Sequence, residues 1–275
     1  MSVSRSTASS FIDCHVHLQD FGDSEVAKII QRARKAGVDA MITAGTTIKS
    51  SERAVYLAKR FPDVFAGVGI HPMDLTGPVD EHLYKTLRRT ALSSEKVVVI
   101  SEVGLDFIKG STDRKTQIQA LREQIRLAKD LGLSVVFHSR EAHRDVLRVL
   151  REERADDVGG AMHYFQGDTA TAEAVIELGF YVSLARPVLH LPQLQQVAKD
   201  ISLKYIVLET DAFPQPFKKK RENWTEPRHV ADIGAKLADL KGISVEEVRK
   251  VTAMNSLRML GEKASLIESR LTNLS

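Results

Sequence analysis

The sequence has a single cysteine, Cys14, so it cannot form an internal disulfide. This usage fits a protein of the reducing cytoplasm. The longest apolar runs, such as 97–100, are far too short to cross a bilayer, and residues 1–10 lack the apolar stretch of a secretory signal. We therefore expect a cytoplasmic protein without a membrane partner, in which residues 1–10 form a disordered leader.

Nucleotide-binding fingerprints are also missing. The nearest candidate, Ala44-Gly45-Thr46, has the spacing of neither a dinucleotide motif nor a P-loop. The net charge is only +3, which excludes a general basic coat for nucleic acid but allows a local basic patch. With 43% hydrophobic and 27% charged residues, the 275-residue chain can form one large α/β domain or two small ones. Nothing indicates an obligate protein partner.

What the chain does contain is a repeated strand–helix pattern. The predicted strands are 11–18, 39–43, 64–70, 97–103, 134–138, 160–164, 180–184 and 205–211, each followed by a helical pattern. Continuous apolar strands between helices indicate a parallel sheet covered by helices. Eight such units predict a closed (β/α)8 TIM-type barrel over 11–264, with a doubly wound open sheet as the alternative. An extra C-terminal helix is predicted over 245–260 and a tail over 265–275.

The first predicted strand holds His15 and His17 near its C-terminal end. Successive strand side chains point to opposite faces, so the two imidazoles share a face and can converge on one divalent cation. The alternative is a pair of half-exposed surface histidines. By the same alternation, we expect Cys14 to pack outward against helices, together with Ile12 and Val16.

Four further candidate ligands stand near the ends of later predicted strands: Glu102, His138, His163 and Asp211. Active sites of such barrels lie at the C-terminal ends of the strands, so these side chains should meet at one rim. Alternation places Ile100 and Glu102 on the same inward face. Four imidazoles and two carboxylates are too many for one tetrahedral ion, and they suit two divalent ions bridged by a carboxylate and a water.

The strand ends also contain a set of short motifs: DCHVHL at 13–18, GIHP at 69–72, SEVGLD at 101–106, HSR at 138–140, HYFQG at 163–167 and ETD at 209–211. Together with TEP at 225–227 and MNSLRML at 254–260, they resemble the signatures of the TatD family. Its members are metal-dependent hydrolases of the amidohydrolase superfamily and are generally regarded as deoxyribonucleases. The resemblance extends from residue 11 to residue 260. Many relatives in the superfamily bridge their metals with a carbamylated lysine, whereas this family has a glutamate at the position of Glu102.

The resemblance implies a division of the ligands between two ions. One ion would be held by His15, His17, Glu102 and Asp211, and the other by Glu102, His138 and His163, with Glu102 bridging. The sequence departs from the family pattern at Val16, Tyr164 and 212–214. These departures remove no ligand, but they leave the substrate open because the loop after the eighth strand lines the site.

A hydrolytic mechanism follows from this ligand set. Two cations lower the pKa of a bridging water and polarise the bond under attack, and Asp211 would pass the proton to the leaving group. Arg140 is placed either to clamp a phosphate or to pair with Glu141 at a helix start. His71 and Asp106 would contact substrate or orient a metal ligand. Zinc, manganese and magnesium are the candidate ions, and imidazole-rich ligation favours zinc, manganese, iron or nickel over magnesium, which prefers oxygen ligands.

The loop 217–224 contains a basic cluster that includes Lys218 and Arg221 beside aromatic residues. Charges for phosphates and rings for bases suit the end of a single-stranded nucleic acid, and the alternative is a solvated loop. We therefore expect a 3′–5′ exonuclease that acts on single-stranded DNA, with RNA or tRNA as other nucleic-acid substrates. The alternatives are a D-aminoacyl-tRNA deacylase or other ester or amide hydrolase on the same metals, and a binding protein without turnover.

Overall fold

The computed structural model describes residues 10–272, so residues 1–9 of the predicted leader lie outside the described part. The eight strands are β1 (Phe11–Val16), β2 (Val38–Ala44), β3 (Val64–Val68), β4 (Val97–Asp106), β5 (Ser134–Arg140), β6 (Gly160–Met162), β7 (Phe180–Leu184) and β8 (Ile206–Leu208). They pair in parallel in chain order, and a parallel bridge between Val16 and Ala212 joins the first strand to the segment after the last. The (β/α)8 barrel is confirmed, and the doubly wound open sheet is excluded.

Helices cover the outside of this barrel. They are α1 (Asp23–Lys35), α2 (Ile48–Arg60), α3 (Glu81–Leu92), α4 (Arg114–Leu131), α5 (His143–Glu152), α6 (Thr169–Glu177), α7 (Pro192–Asp200), α8 (Val230–Lys241), α9 (Val245–Met259) and α10 (Ala264–Thr272). Several begin at a residue whose side chain accepts a hydrogen bond from the first turn, as Asp80 does in α3 and Ser244 does in α9. Between residues 10 and 272, no helix combines the length and the apolar character needed to span a membrane.

The chain continues past the predicted extra helix, α9, into α10, which lies in the segment predicted as a tail. Ile267 and Leu271 of α10 are buried, and Arg270 forms an ion pair with the buried Asp63 at the start of β3. The packed body of the protein therefore reaches at least residue 271.

Apolar side chains of the sheet form two clusters, one on each face. The outer cluster packs against α1–α8, whereas the inner cluster joins barrel residues such as Ile12 and Val207 to α9 and α10. Cys14 belongs to the inner cluster, with its Sγ 3.1 Å from Oγ of Ser256 in α9. The prediction that Ile12, Cys14 and Val16 all pack outward was wrong for Ile12 and Cys14, because the pairing of β1 with β2 shifts register between Asp13 and Val16 and simple alternation fails there.

Helix α9 closes the N-terminal end of the barrel, opposite the rim where the predicted ligands lie. The buried Asn255 amide donates hydrogen bonds to the carbonyl oxygens of Leu203 and Ile206, both at 2.8 Å. At the start of β5, the Ser134 hydroxyl donates to the carbonyl oxygen of Met259. These contacts fix the helix to the ends of the strands.

We expect Asn255→Ala to lower the free energy of unfolding by roughly 1–3 kcal/mol, because it removes both buried hydrogen bonds of the amide. Urea-induced unfolding followed by circular dichroism measures the change. Arg258→Ala alters an exposed residue of the same helix and should stay within about 0.5 kcal/mol of the parent protein. Equal unfolding midpoints for the two variants would show that Asn255 does not hold α9 in place.

Candidate metal centre

The carboxylate of Glu102 lies at the centre of the predicted ligands. Its Oε2 is 3.5 Å from Nε2 of His15 and 3.5 Å from Nε2 of His17. Its Oε1 is 2.7 Å from Nε2 of His163 and 3.4 Å from Nδ1 of His138. Each carboxylate oxygen therefore faces a different set of imidazoles: Oε2 faces the two from the first strand segment, and Oε1 faces those after β5 and β6 together with His71, at 3.3 Å.

The position of Glu102 does not follow from simple alternation along β4. Ile100 packs in the outer cluster, although alternation predicts that it shares an inward face with Glu102. The pairing of β4 with β5 shifts register between Ile100 and Val103. This irregularity, and not a regular strand, brings the Glu102 side chain into the barrel mouth, so the predicted shared face was wrong.

Asp211 completes the group from the other side of the barrel. Its Oδ1 is 3.2 Å from Nε2 of His17 and 3.9 Å from Nε2 of His15. The residue lies beyond the end of β8, which stops at Leu208 although the predicted strand extended to residue 211, and it has a positive φ of 50° that is uncommon for a residue other than glycine. Its backbone N–H donates to the carbonyl oxygen of His15 at 3.0 Å, which fixes this conformation against β1.

The charges in the centre stabilise one another. Burial alone would raise the pKa of Glu102, but the neighbouring histidines, chiefly His163 and His71, hold it well below its usual value. The same opposition lowers the pKa of Asp211, where burial is outweighed by the hydrogen bond with His17 together with the charges of His17, His163 and His15. Conversely, Asp211 and Glu102 outweigh burial at His17 and raise its pKa to about 9. Both carboxylates are therefore ionised at neutral pH and available as ligands.

The donor set fits divalent cations. Both ring nitrogens of His15 are buried without a hydrogen-bond partner among the described residues. Buried polar atoms are nearly always paired, so unpaired imidazole nitrogens beside ionised carboxylates indicate a ligand. Three overlapping groups have donor atoms within 4.8 Å of one another: His15, Glu102 and His163; His15, His17 and Asp211; and His71, Glu102 and His138. Imidazole and carboxylate donors together suit zinc or manganese.

Asp106 lies behind the centre and orients one of its histidines. Its buried carboxylate oxygen Oδ2 is 2.9 Å from Nε2 of His138, which leaves Nδ1 facing Glu102. Burial opposes ionisation of Asp106, but the hydrogen bonds with His138 and Arg140 hold its pKa far below the usual value. Such a carboxylate–histidine pair fixes the ring and raises its basicity as a ligand.

Arg140 is the last residue of β5, three residues before α5 begins, and does not stand at a helix start. Its Nε and Nη2 donate to Oδ2 of Asp106 at 2.8 and 2.7 Å, so its ionic partner is Asp106 and not Glu141, the alternative that the sequence left open. The side chain is about half exposed and lines the cavity above the centre. A cationic group is thereby fixed beside the predicted ligands.

His71 lies against the centre from the end of β3. The backbone N–H of Met73 donates to its Nδ1 at 3.1 Å, and its Nε2 is 3.3 Å from Oε1 of Glu102. Since Nδ1 accepts a hydrogen bond, the proton of the neutral ring resides on Nε2. His71 is therefore arranged as a hydrogen-bond donor toward Glu102 and the cavity.

A cavity of about 620 Å³ opens above these residues. Besides the centre itself, its lining includes Asp20, Thr46, Asp74, Ser139, Glu141, His143, Tyr164, Gln166 and Phe213. The basic loop lies outside this lining. Arg221 forms ion pairs with Glu25 and Glu226, and Lys218 donates to the carbonyl oxygen of Asn223. The predicted contacts of Lys218 and Arg221 with nucleic acid stay predictions.

A model of the family described as TatD related DNase matches residues 12–261 of this chain. The chain belongs to the TatD family. It is 32% identical over 253 residues to the uncharacterized metal-dependent hydrolase YabD of Bacillus subtilis, covering 90% of this chain and 97% of YabD. It is 31% identical over 278 residues to deoxyribonuclease TATDN3 of Homo sapiens, covering 96% of this chain and 99% of that protein.

The fold is shared with a solved TatD structure. The crystal structure of YJJV, a TatD homolog from Escherichia coli K12, superimposes with a TM-score of 0.79 at 26% identity. The match covers 90% of this chain and 97% of YJJV. The resemblance seen in the motifs is thus confirmed over nearly the whole barrel.

Two buried acidic residues of this TatD protein support the centre but were not among the site residues predicted from the sequence. Asp13 accepts hydrogen bonds from the backbone N–H and hydroxyl of Thr210, which fixes the turn that leads to Asp211. Glu209 accepts from the backbone N–H of Tyr164 at 2.6 Å, next to His163. Asp13 stands two positions before His15 in the motif at 13–18, and Glu209 stands two positions before Asp211 in the motif at 209–211. This two-residue spacing from a predicted ligand was the signal available in the sequence.

We expect Asp106→Asn to weaken manganese binding by about 10–100-fold, because an amide orients His138 less strongly and does not raise its basicity. Isothermal titration calorimetry of the metal-free protein measures the affinity. Asp145→Asn, a change on the outer surface of α5, is the control and should bind like the parent protein. If Asp106→Asn also binds like the parent protein, the carboxylate has no orienting role.

Proposed function

We propose that this metal-dependent hydrolase of the TatD family is a deoxyribonuclease that removes nucleotides from the 3′ end of single-stranded DNA. The observation that supports the proposal most is the position of Glu102, whose two oxygens face separate sets of imidazoles, two at Oε2 and three at Oε1. The printed names of relatives such as deoxyribonuclease TATDN3 support DNA as the substrate class.

Two sets of side chains would each hold a divalent cation, with zinc, manganese and magnesium as candidates. One set is His15, His17, Asp211 and Glu102, and the other is Glu102, His138 and His163. When bound, two such cations would lower the pKa of a water molecule and offset negative charge on the phosphate oxygens.

Asp211 is the proposed general base. Its carboxylate lies at the edge of the centre, where the side chain retains 19% exposure and therefore reaches the cavity. The hydrogen bond with His17 and the charges of the neighbouring histidines together outweigh burial and lower its pKa, so it is ionised at neutral pH and able to accept a proton. The same carboxyl group would then return that proton to the leaving oxygen of the nucleotide.

His71 and Arg140 are the proposed contacts of the scissile phosphate. His71 presents an N–H donor at Nε2, because its Nδ1 already accepts from Met73. Arg140 is fixed by Asp106 and presents its positive charge at the wall of the cavity. A phosphate between them would gain charge-assisted hydrogen bonds on two sides, and this pair favours a phosphodiester over a neutral ester or amide.

The test compares two substrates on the same protein. Purified protein with added manganese is incubated with 3′-labelled and 5′-labelled single-stranded DNA and, in parallel, with a D-aminoacyl-tRNA. The proposal expects the 3′ label to leave as a mononucleotide, the 5′ label to yield a shortening ladder, and a chelator to stop both. Cleavage of the aminoacyl ester with intact DNA would instead establish the deacylase alternative. An Asp211→Asn preparation controls for contaminating nucleases, since it must lose the activity.

A further inference from the structure

The cavity is larger than a single phosphate requires. At about 620 Å³ it has the size of a site for a drug-sized or nucleotide-sized ligand. Beyond the centre, the wall formed by the end of β5, the start of α5 and the loop after β6 presents Ser139, His143, Tyr164 and Gln166. All four are hydrogen-bonding side chains, and none belongs to the predicted ligands.

The opposite wall is unfavourable for a second phosphate. The segments after β1 and β3 contribute the carboxylates of Asp20 and Asp74 to the lining. On the β5–β6 wall the carboxylate of Glu141 is accompanied by the cation of Arg140. A polyanion that extends from the centre is therefore repelled less on the β5–β6 wall.

His143 is fixed on that wall by a specific contact. It is the first residue of α5, and its Nδ1 is 2.8 Å from Oγ of Ser139, the residue that follows His138 in β5. Among residues 10–272, Nε2 of His143 has no hydrogen-bond partner. When the Ser139 hydroxyl donates to Nδ1, the neutral ring bears its proton on Nε2, as a donor ready for an acceptor. Burial lowers the pKa of His143, in keeping with a neutral ring.

We propose that His143, held by Ser139, donates a hydrogen bond to the phosphate adjacent to the scissile one, so that the DNA strand leaves the centre across the β5–β6 wall. This inference rests on the proposed function and deepens it. It makes His143 a specificity-determining residue for substrates with more than one phosphate. It also places the strand on a path different from the loop 217–224.

Two substrates separate the neighbouring phosphate from the scissile one. The first is a short single-stranded oligonucleotide, and the second is bis(p-nitrophenyl) phosphate, which has one phosphodiester and no neighbour. We expect His143→Ala to lower kcat/KM on the oligonucleotide by about tenfold, the loss of one hydrogen bond to a charged group, and to leave the second substrate unchanged. His143→Gln, which keeps an N–H donor, should recover part of the loss, and Ser139→Ala should show a smaller loss of the same kind.

His82→Ala is the matched control, because His82 is exposed on α3 and lies outside the cavity lining. Lys218→Ala tests the path over the basic loop. An oligonucleotide-specific loss in Lys218→Ala, with none in His143→Ala, would overturn the inference. So would an equal loss on both substrates in His143→Ala, which would place His143 at the reacting phosphate.

A binding measurement separates this inference from the proposed function. In the Asp211→Asn background, fluorescence anisotropy of a labelled oligonucleotide in manganese reports affinity without turnover. We expect His143→Ala to weaken this binding by about tenfold and to leave binding of a mononucleotide unchanged. If the parent protein cleaves no DNA yet shows this difference, the proposed function fails, whereas the contact between His143 and a phosphate beyond the centre is still supported. If cleavage is normal and oligonucleotide binding does not depend on His143, the inference alone fails.

Discussion

Glu102→Ala should lower kcat on single-stranded DNA by about a thousandfold or more, because several kcal/mol of metal-derived transition-state stabilisation would be lost. The structural reason is that one carboxylate faces both sets of imidazoles, through Oε2 to His15 and His17 and through Oε1 to His138 and His163. Its removal would deprive both cations of a ligand at once. Steady-state kinetics in manganese measures the effect, and elemental analysis should show a parallel fall in bound metal.

Glu102→Gln is the companion variant, because it keeps the shape of the side chain and removes its charge. It should retain the fold by circular dichroism and still lose most of the activity. A Glu102→Ala protein with normal metal content and a nearly normal rate would contradict the bridging role.

Asp211→Asn should lower kcat by about 10²–10⁴-fold, the usual contribution of a positioned proton acceptor. An amide at this position cannot accept and return a proton, although its oxygen can still serve as a weak ligand. Single-turnover kinetics at saturating manganese measures the chemical step and compensates for weaker metal binding.

Asp20→Asn is the matched control for Asp211→Asn, since Asp20 lines the same cavity and lies outside the predicted ligand sets. Its rate should change far less than that of Asp211→Asn. Equal losses in the two variants would indicate a general dependence on negative charge in the cavity, and no specific base at Asp211.

The barrel was predictable because its signal is repeated eight times along the chain. A single strand–helix unit is ambiguous, but eight consecutive units leave few parallel arrangements. Placement of candidate ligands at one rim then followed from the topology alone, since parallel strands end on the same side. His138 shows how well this works where the strand is regular, because Val136, two positions earlier, packs in the inner cluster.

Alternation failed where strand pairing is irregular. Cys14 and Ile100 were both assigned to the wrong face of the sheet. Cys14 lies at a register shift in the pairing of β1 with β2, and Ile100 lies at one in the pairing of β4 with β5. Such shifts depend on how neighbouring strands fit together, which no local pattern records. The result was a correct prediction that Glu102 reaches the rim, combined with a wrong account of the strand that brings it there.

Partners distant in sequence were also beyond prediction. Arg221 was expected to face nucleic acid, yet the structure pairs it with Glu25, 196 residues away in the chain. For Arg140 the sequence offered a phosphate contact or an ion pair with Glu141, whereas its ionic partner in the structure is Asp106, 34 residues earlier. Charged side chains take whichever opposite charge the fold brings near them, so their partners follow from tertiary structure.

The central claim is that two divalent cations are held on either side of Glu102. Crystals grown with manganese and measured at a wavelength with strong manganese anomalous scattering test it directly. The account predicts two anomalous peaks in the barrel mouth, one among His15, His17 and Asp211 and the other between His138 and His163. A map without peaks near Glu102, or with its only strong peaks elsewhere on the protein, would contradict it.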